Sequence, residues 1–177
     1  MTTHEPADEA YGRVSDAKRF ERLWIDAGRV LEELVSRYEV YRQEGVDLDP
    51  DLVARLSAGD VTQVVRLTPV TGNGGPLTFA WTAFPGILAR FGRWTTEAFP
   101  DCGCDACDEN VDHLADQLRR HAHALAMGEF TETLHLTPRP SLTFSFGPGE
   151  SNSIGFHPAA APLGPPGTIR WPAWPTA

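Results

Sequence analysis

The sequence predicts an α+β domain: a mixed or mainly antiparallel sheet of about four to six strands packed against two long helices, with an irregular Pro/Gly-rich C-terminal strap. Three observations carry this. Two stretches repeat apolar residues at three- and four-residue steps, the period of a helix with one buried face. Runs of β-branched and aromatic residues lie between and after them, bounded by Gly and Pro. The last 31 residues hold seven Pro and five Gly, too many for regular structure throughout.

In chain order, residues 1–14 read as a flexible lead-in, with Tyr11 and Val14 able to dock. Residues 15–146 form a single domain and 147–177 the strap. The first helix is expected over about 16–43. Phe20, Leu23, Trp24, Ala27, Leu31, Leu34, Val35, Tyr38 and Tyr41 make its stripe, Ser15 or Asp16 its N-cap, and Gly45 its C′ residue. A short helix from Pro50 to Leu56 follows, capped by Asp49. Residues 62–70 and 77–84 read as two strands of a hairpin turned by Thr71-Gly72-Asn73-Gly74-Gly75, and 87–94 as a third. Val111, Leu114, Ala115, Leu118, Ala122, Leu125 and Ala126 define the second helix, ended near Gly128. Residues 130–136 and 141–146 alternate as strands. In the strap, Trp171 and Trp174 argue for docking on the body of the domain or on a partner, because indoles favour burial.

Charge narrows the function classes. The 177 residues carry 24 acidic and 15 basic side chains, a net charge of −9 and a pI near 5.0. Phosphate backbones and anionic membranes both need clustered Lys and Arg, so neither nucleic acid nor a membrane surface is expected as a partner. The N-terminus is acidic where a signal peptide would be basic and then apolar. No apolar run reaches the roughly 20 residues of a membrane helix. A cytoplasmic protein is expected.

The three cysteines stand together in Cys102-Gly103-Cys104-Asp105-Ala106-Cys107, and an odd number in one short segment is no secreted disulfide framework. Three readings compete. A Zn²⁺ site is favoured by the Cys-x-x-Cys spacing of Cys104 and Cys107, with Gly103 freeing Cys102 to join them. The fourth ligand stays open. His113 is the nearest imidazole, about 9 Å along the axis from Cys107 if both are helical. Asp105, Asp108, a water, or His121, His123, His135 or His157 are the alternatives. Thiol–disulfide chemistry is the second reading, with Cys104 as nucleophile and Cys107 as resolving thiol at a helix N-terminus that favours thiolate. The carboxylates of Asp101, Asp105, Asp108 and Glu109 oppose it. Inert packing in a tight turn is the third. Asp105 or Asp108 also suits the N-cap of the second helix.

Other candidates have plainer explanations. His121 and His123 point about 200° apart on a helix and cannot share a metal there. His121 borders the apolar stripe as a core residue, and His123 faces solvent. The Gly72–Gly75 run lacks the lysine and helix of a phosphate loop. No nucleophile elbow or dinucleotide fingerprint occurs.

Tyr11-Gly12-Arg13-Val14, Phe84-Pro85-Gly86 and Cys102-Gly103-Cys104-Asp105-Ala106-Cys107-Asp108-Glu109 give a likeness over most of residues 11–146. On these motifs the chain resembles a family of uncharacterised bacterial proteins known only as a domain of unknown function. The resemblance implies a bacterial, cytoplasmic protein and supplies no activity. The expectation is a non-enzymatic domain with a structural Zn²⁺ on Cys102, Cys104, Cys107 and His113, acting by binding a protein partner or a second copy. The alternative is a thiol–disulfide redox enzyme using Cys104 and Cys107.

Overall fold

The computed structural model describes residues 11–53, 60–155 and 164–177. Parts of three expectations lie outside them: the lead-in at 1–10, the end of the short helix at 54–56, and the strap at 156–163. The architecture is α+β, and every strand pairing among the described residues is antiparallel. The strands divide between two sheets. β1 (Val40–Glu44), β2 (Val61–Pro69), β3 (Leu77–Thr82), β4 (Gly86–Phe91) and β5 (Thr95–Phe99) form a five-stranded meander. β6 (Phe130–His135), β7 (Ser141–Phe146), β8 (Asn152–Gly155) and β9 (Gly167–Arg170) form a second sheet in the order β8-β7-β6-β9.

Helix α1 (Glu21–Arg37) follows a 3-10 turn at Ala17–Phe20 and buries Leu23, Ala27, Leu31 and Leu34 of the stripe that the periodicity predicts, together with Val30. It stops short of the expected end near residue 43. Tyr38 is extended (φ −125°, ψ 147°), and β1 begins two residues later, with Val40 opposite Pro69 and Glu44 opposite Val65. Local preference and tertiary pairing agree here. Tyr38, Val40 and Tyr41 are strand formers, and Glu39 exchanges backbone bonds with Pro175 and Val70 at 2.8 and 3.1 Å. Gly45 therefore leads into a 3-10 turn at Val46–Leu48 instead of closing a helix.

Sheet one is covered on both faces, so β3 is buried over Leu77–Trp81. Val65, Leu67, Phe79, Ile87, Ala89 and Phe91 face the main core with α1. Val64, Ala80 and Leu88 face Leu52 of the short α2 (Pro50–Val53), whose Asp49 cap accepts the Leu52 N–H at 3.1 Å. α3 (Val111–Ala126) packs beside α1 and touches both β5 and β7, which joins the two sheets. Arg22 pairs with Asp112 across the two helices.

The tail is part of the fold. It supplies β8 and β9, and both indoles dock on this domain. Trp174 packs edge-on to Tyr38, with ring centroids 5.7 Å apart, and donates to Gly75 O at 3.0 Å. A Cβ on Gly74 or Gly75 would stand 2.8 Å from Trp174 or 2.9 Å from Trp171. Those two glycines are the seat of the indoles, which explains the run that superficially resembles a phosphate loop.

A buried carboxylate fastens the sheets together. Glu132 of β6 is fully buried and accepts the N–H groups of Arg93, Trp94 and Thr95, the Thr95 hydroxyl and the Trp171 indole, all at 2.7–3.0 Å. Five donors satisfy the charge that burial would otherwise make costly.

Candidate metal centre

The thiols lie on the loop 100–110, between β5 and α3. Glu109 shapes it from behind: its carboxylate accepts the N–H groups of Asp101, Cys102 and Gly103 at 2.9, 3.1 and 2.6 Å. Successive amides converging on one anion curl the backbone into a concavity. Gly103 sits at φ +73°, and a Cβ there would lie 2.8 Å from the Phe84 ring. An L side chain at this position would cost about 1–2 kcal/mol in backbone strain alone.

The N-terminal segment closes the loop from the other side. Asp105 N–H donates to Arg13 O at 2.8 Å, while Ser15 donates through its N–H and hydroxyl to the Asp105 carboxylate at 2.8 and 2.6 Å. Arg13 reaches Asp105 and Arg19 reaches Asp108, each at 3.8 Å. Phe84 packs on Phe20 with centroids 6.0 Å apart. The three separate motifs, around Gly12, Phe84 and the cysteines, thus meet at one place.

There the three Sγ atoms lie within 4.8 Å of one another, and Cys104 and Cys107 approach to 3.4 Å without a disulfide. Cys104 is buried; Cys102 and Cys107 are exposed. The Cys102 thiol, the backbone N–H groups of Gly12 and Cys107 and the Cys107 thiol all donate to Cys104, lowering its pKa from 9.0 to about 6. Cys107 is pushed up to about 12, because it shares protons with Cys102 and Cys104 and would add charge beside them. These donors favour the Cys104 thiolate, held by amides as sulfur is held in a metal-binding turn.

The donor set fits a tetrahedral metal. Thiolates about 2.3 Å from zinc stand about 3.8 Å from each other, a spacing close to the 3.4 Å between Cys104 and Cys107 and within the 4.8 Å that spans all three sulfurs. Among the described residues these three side chains form the group, and His113 is not in it. His113 is exposed in the first turn of α3, its backbone N–H held at 3.0 Å by Asn110, which is the N-cap. Asp105 and Asp108, expected as caps, instead hold the N-terminal segment. His121 is buried, stacked on Phe146 and bonded to Glu97 at 2.6 Å; His123 is half-buried and meets Glu33 at 3.2 Å. His157 lies outside the described residues.

Sequence reasoning missed three contributors. Asn110 was legible as a capping residue just before an apolar period. Glu109 and the Gly12 N–H were not, because their partners lie six to eight and 92 residues away.

No helix among the described residues is long and apolar enough to cross a membrane. No curated protein and no solved structure matches the chain. A family model does match, over residues 2–177 and so beyond the 11–146 of the motif likeness: the chain belongs to the family of unknown function DUF6226.

Proposed function

We propose that Cys102, Cys104 and Cys107 hold a structural Zn²⁺ that fastens the N-terminal segment and the Phe84 turn to the entry of α3, in a non-enzymatic domain that acts by binding a protein partner. One observation carries this reading: three thiols within 4.8 Å on a loop whose curvature Glu109 maintains without any metal. Carboxylates at Asp101, Asp105, Asp108 and Glu109 add a field that favours a cation. A reducing cytoplasm would keep the thiols available to it.

Elemental analysis of protein purified without added metal tests this. About one zinc per chain is expected, lost together with thermal stability in Cys104→Ser. Metal-free protein of unchanged stability would refute it.

A second reading rests on the lowered pKa of Cys104 and its 3.4 Å approach to Cys107. In it, the Cys104 thiolate attacks a partner disulfide, and Cys107 resolves the mixed disulfide and releases the partner as a dithiol. A reversible Cys104–Cys107 disulfide in metal-free protein would select this reading instead.

A further inference from the structure

At the far end of α3 from the cysteine loop lies a cleft whose charge runs against that of the chain. With 24 acidic side chains to 15 basic, an arginine of this protein readily finds a carboxylate, and Arg13, Arg19, Arg22, Arg29, Arg42 and Arg90 all do. Arg37, in the last turn of α1, and Arg119 and Arg120 of α3 do not. All three are exposed, and their guanidiniums have no ion-pair or hydrogen-bond partner among the described residues. All three also line one cleft of about 490 Å³, within the volume range of small-molecule sites.

Three carboxylates share the cleft, and two of them are engaged. Glu33 lies 3.2 Å from His123, and Glu150 lies 3.7 Å from Nε2 of the buried His121. Glu129 is the one acid left without a side-chain partner among the described residues. The unmatched groups therefore carry a surplus of two positive charges, in a molecule whose net charge is −9. Met127 and Phe146 give the cleft an apolar part. Met127 is exposed and its flexible thioether adapts to what it touches, while Phe146 is held in place by its stack on His121, with ring centroids 3.8 Å apart.

Two surplus charges ask for a dianion. The planar fork of arginine suits phosphate oxygens, and a phosphate monoester presents three of them and nearly two charges from one compact head. We propose that this cleft binds a small phosphate monoester with an apolar body, its head on Arg37, Arg119 and Arg120 and its body against Met127 and Phe146. The site is separate from the thiols and stands whether or not they hold a metal.

Phenyl phosphate is the probe, titrated calorimetrically into the full-length protein at low ionic strength. One saturable site per chain is expected, with a dissociation constant below about 1 mM. Arg37→Gln, and Arg119→Gln combined with Arg120→Gln, should each weaken it about tenfold or more. Arg139→Gln, at an exposed arginine outside the cleft, should leave it unchanged. Met127→Ser should weaken phenyl phosphate and leave inorganic phosphate unmoved. These side chains are exposed, so unchanged urea midpoints separate a lost site from a lost fold. No saturable binding, or full affinity in the arginine variants, would overturn the proposal. Benzoate binding as tightly as phenyl phosphate would overturn the dianionic head, and inorganic phosphate binding as tightly would overturn the apolar body.

Discussion

Cys104 is the residue in which the chemistry of the loop concentrates, and its strongest support is the hydrogen bond from Cys102. In metal-free Cys102→Ala, which has no side-chain donor, the thiolate absorbance of Cys104 should therefore titrate well above pH 6, towards its ordinary 9.0. An unmoved titration would show that the amides of Gly12 and Cys107 suffice. The same lowering has a definite sign in stability. A folded-state value near 6 below an unfolded 9.0 contributes stability that is present above pH 9.0 and lost as pH falls through 6. The stability difference between metal-free wild type and Cys104→Ser, read from urea midpoints, should grow from pH 6 to pH 9. Cys107 works in the opposite sense, its contribution fading as pH rises from 9.0 towards 12. Glu109 acts one step back from the sulfurs. Glu109→Ala should weaken zinc binding about 10–100-fold in a competition with a chromophoric chelator, the range for groups that hold a ligand in place. The cysteines themselves were legible from spacing alone. Their supporting groups were not, because a side chain that folds back on distant amides leaves no periodic trace.

At the scale of elements, the segment 12–15 depends on the loop it closes. Gly12 donates to a cysteine sulfur, and Arg13 and Ser15 bond to Asp105. Removing the metal with a chelator should accelerate tryptic cleavage after Arg13, followed by mass spectrometry, while sites within α1 stay protected. Equal rates with and without metal would detach this segment from the centre. The end of α1 shows where periodicity misleads. Tyr38 and Tyr41 fit the helical stripe, yet the chain turns to β1, because the edge of β2 and the tail at 175–176 offer the backbone of 38–44 extended partners. A helical pattern cannot register a partner more than 130 residues away. α3, in contrast, matches its predicted span closely because its apolar period is local, although Asn110 and not Asp105 or Asp108 caps it.

For the whole molecule, two sheets are held together by contacts between residues far apart in sequence. Glu132 links β6 to the turn before β5 and to the tail indole. Its place was partly legible: in Phe130-Thr131-Glu132-Thr133-Leu134 it stands at an inward position between two apolar neighbours, where a charge requires buried partners. Glu132→Gln should cost about 2–4 kcal/mol by urea unfolding, since an amide presents donors to a set of donors. Trp174→Ala should cost about 3–5 kcal/mol through the cavity it opens against Tyr38. Composition marked the tail as irregular because Pro and Gly oppose strands on average. The strands form where its Thr168-Ile169-Arg170 pairs with Thr131-Glu132-Thr133, a match visible only once β6 has a free edge. That frame holds the loop 100–110 between β5 and α3, and the central claim is that the three sulfurs there share one ion. X-ray absorption at the zinc edge on protein purified without added metal reads the shell directly. Three sulfur scatterers at about 2.3 Å and one lighter atom are expected; a shell of oxygen and nitrogen alone, or no zinc at all, would contradict the account.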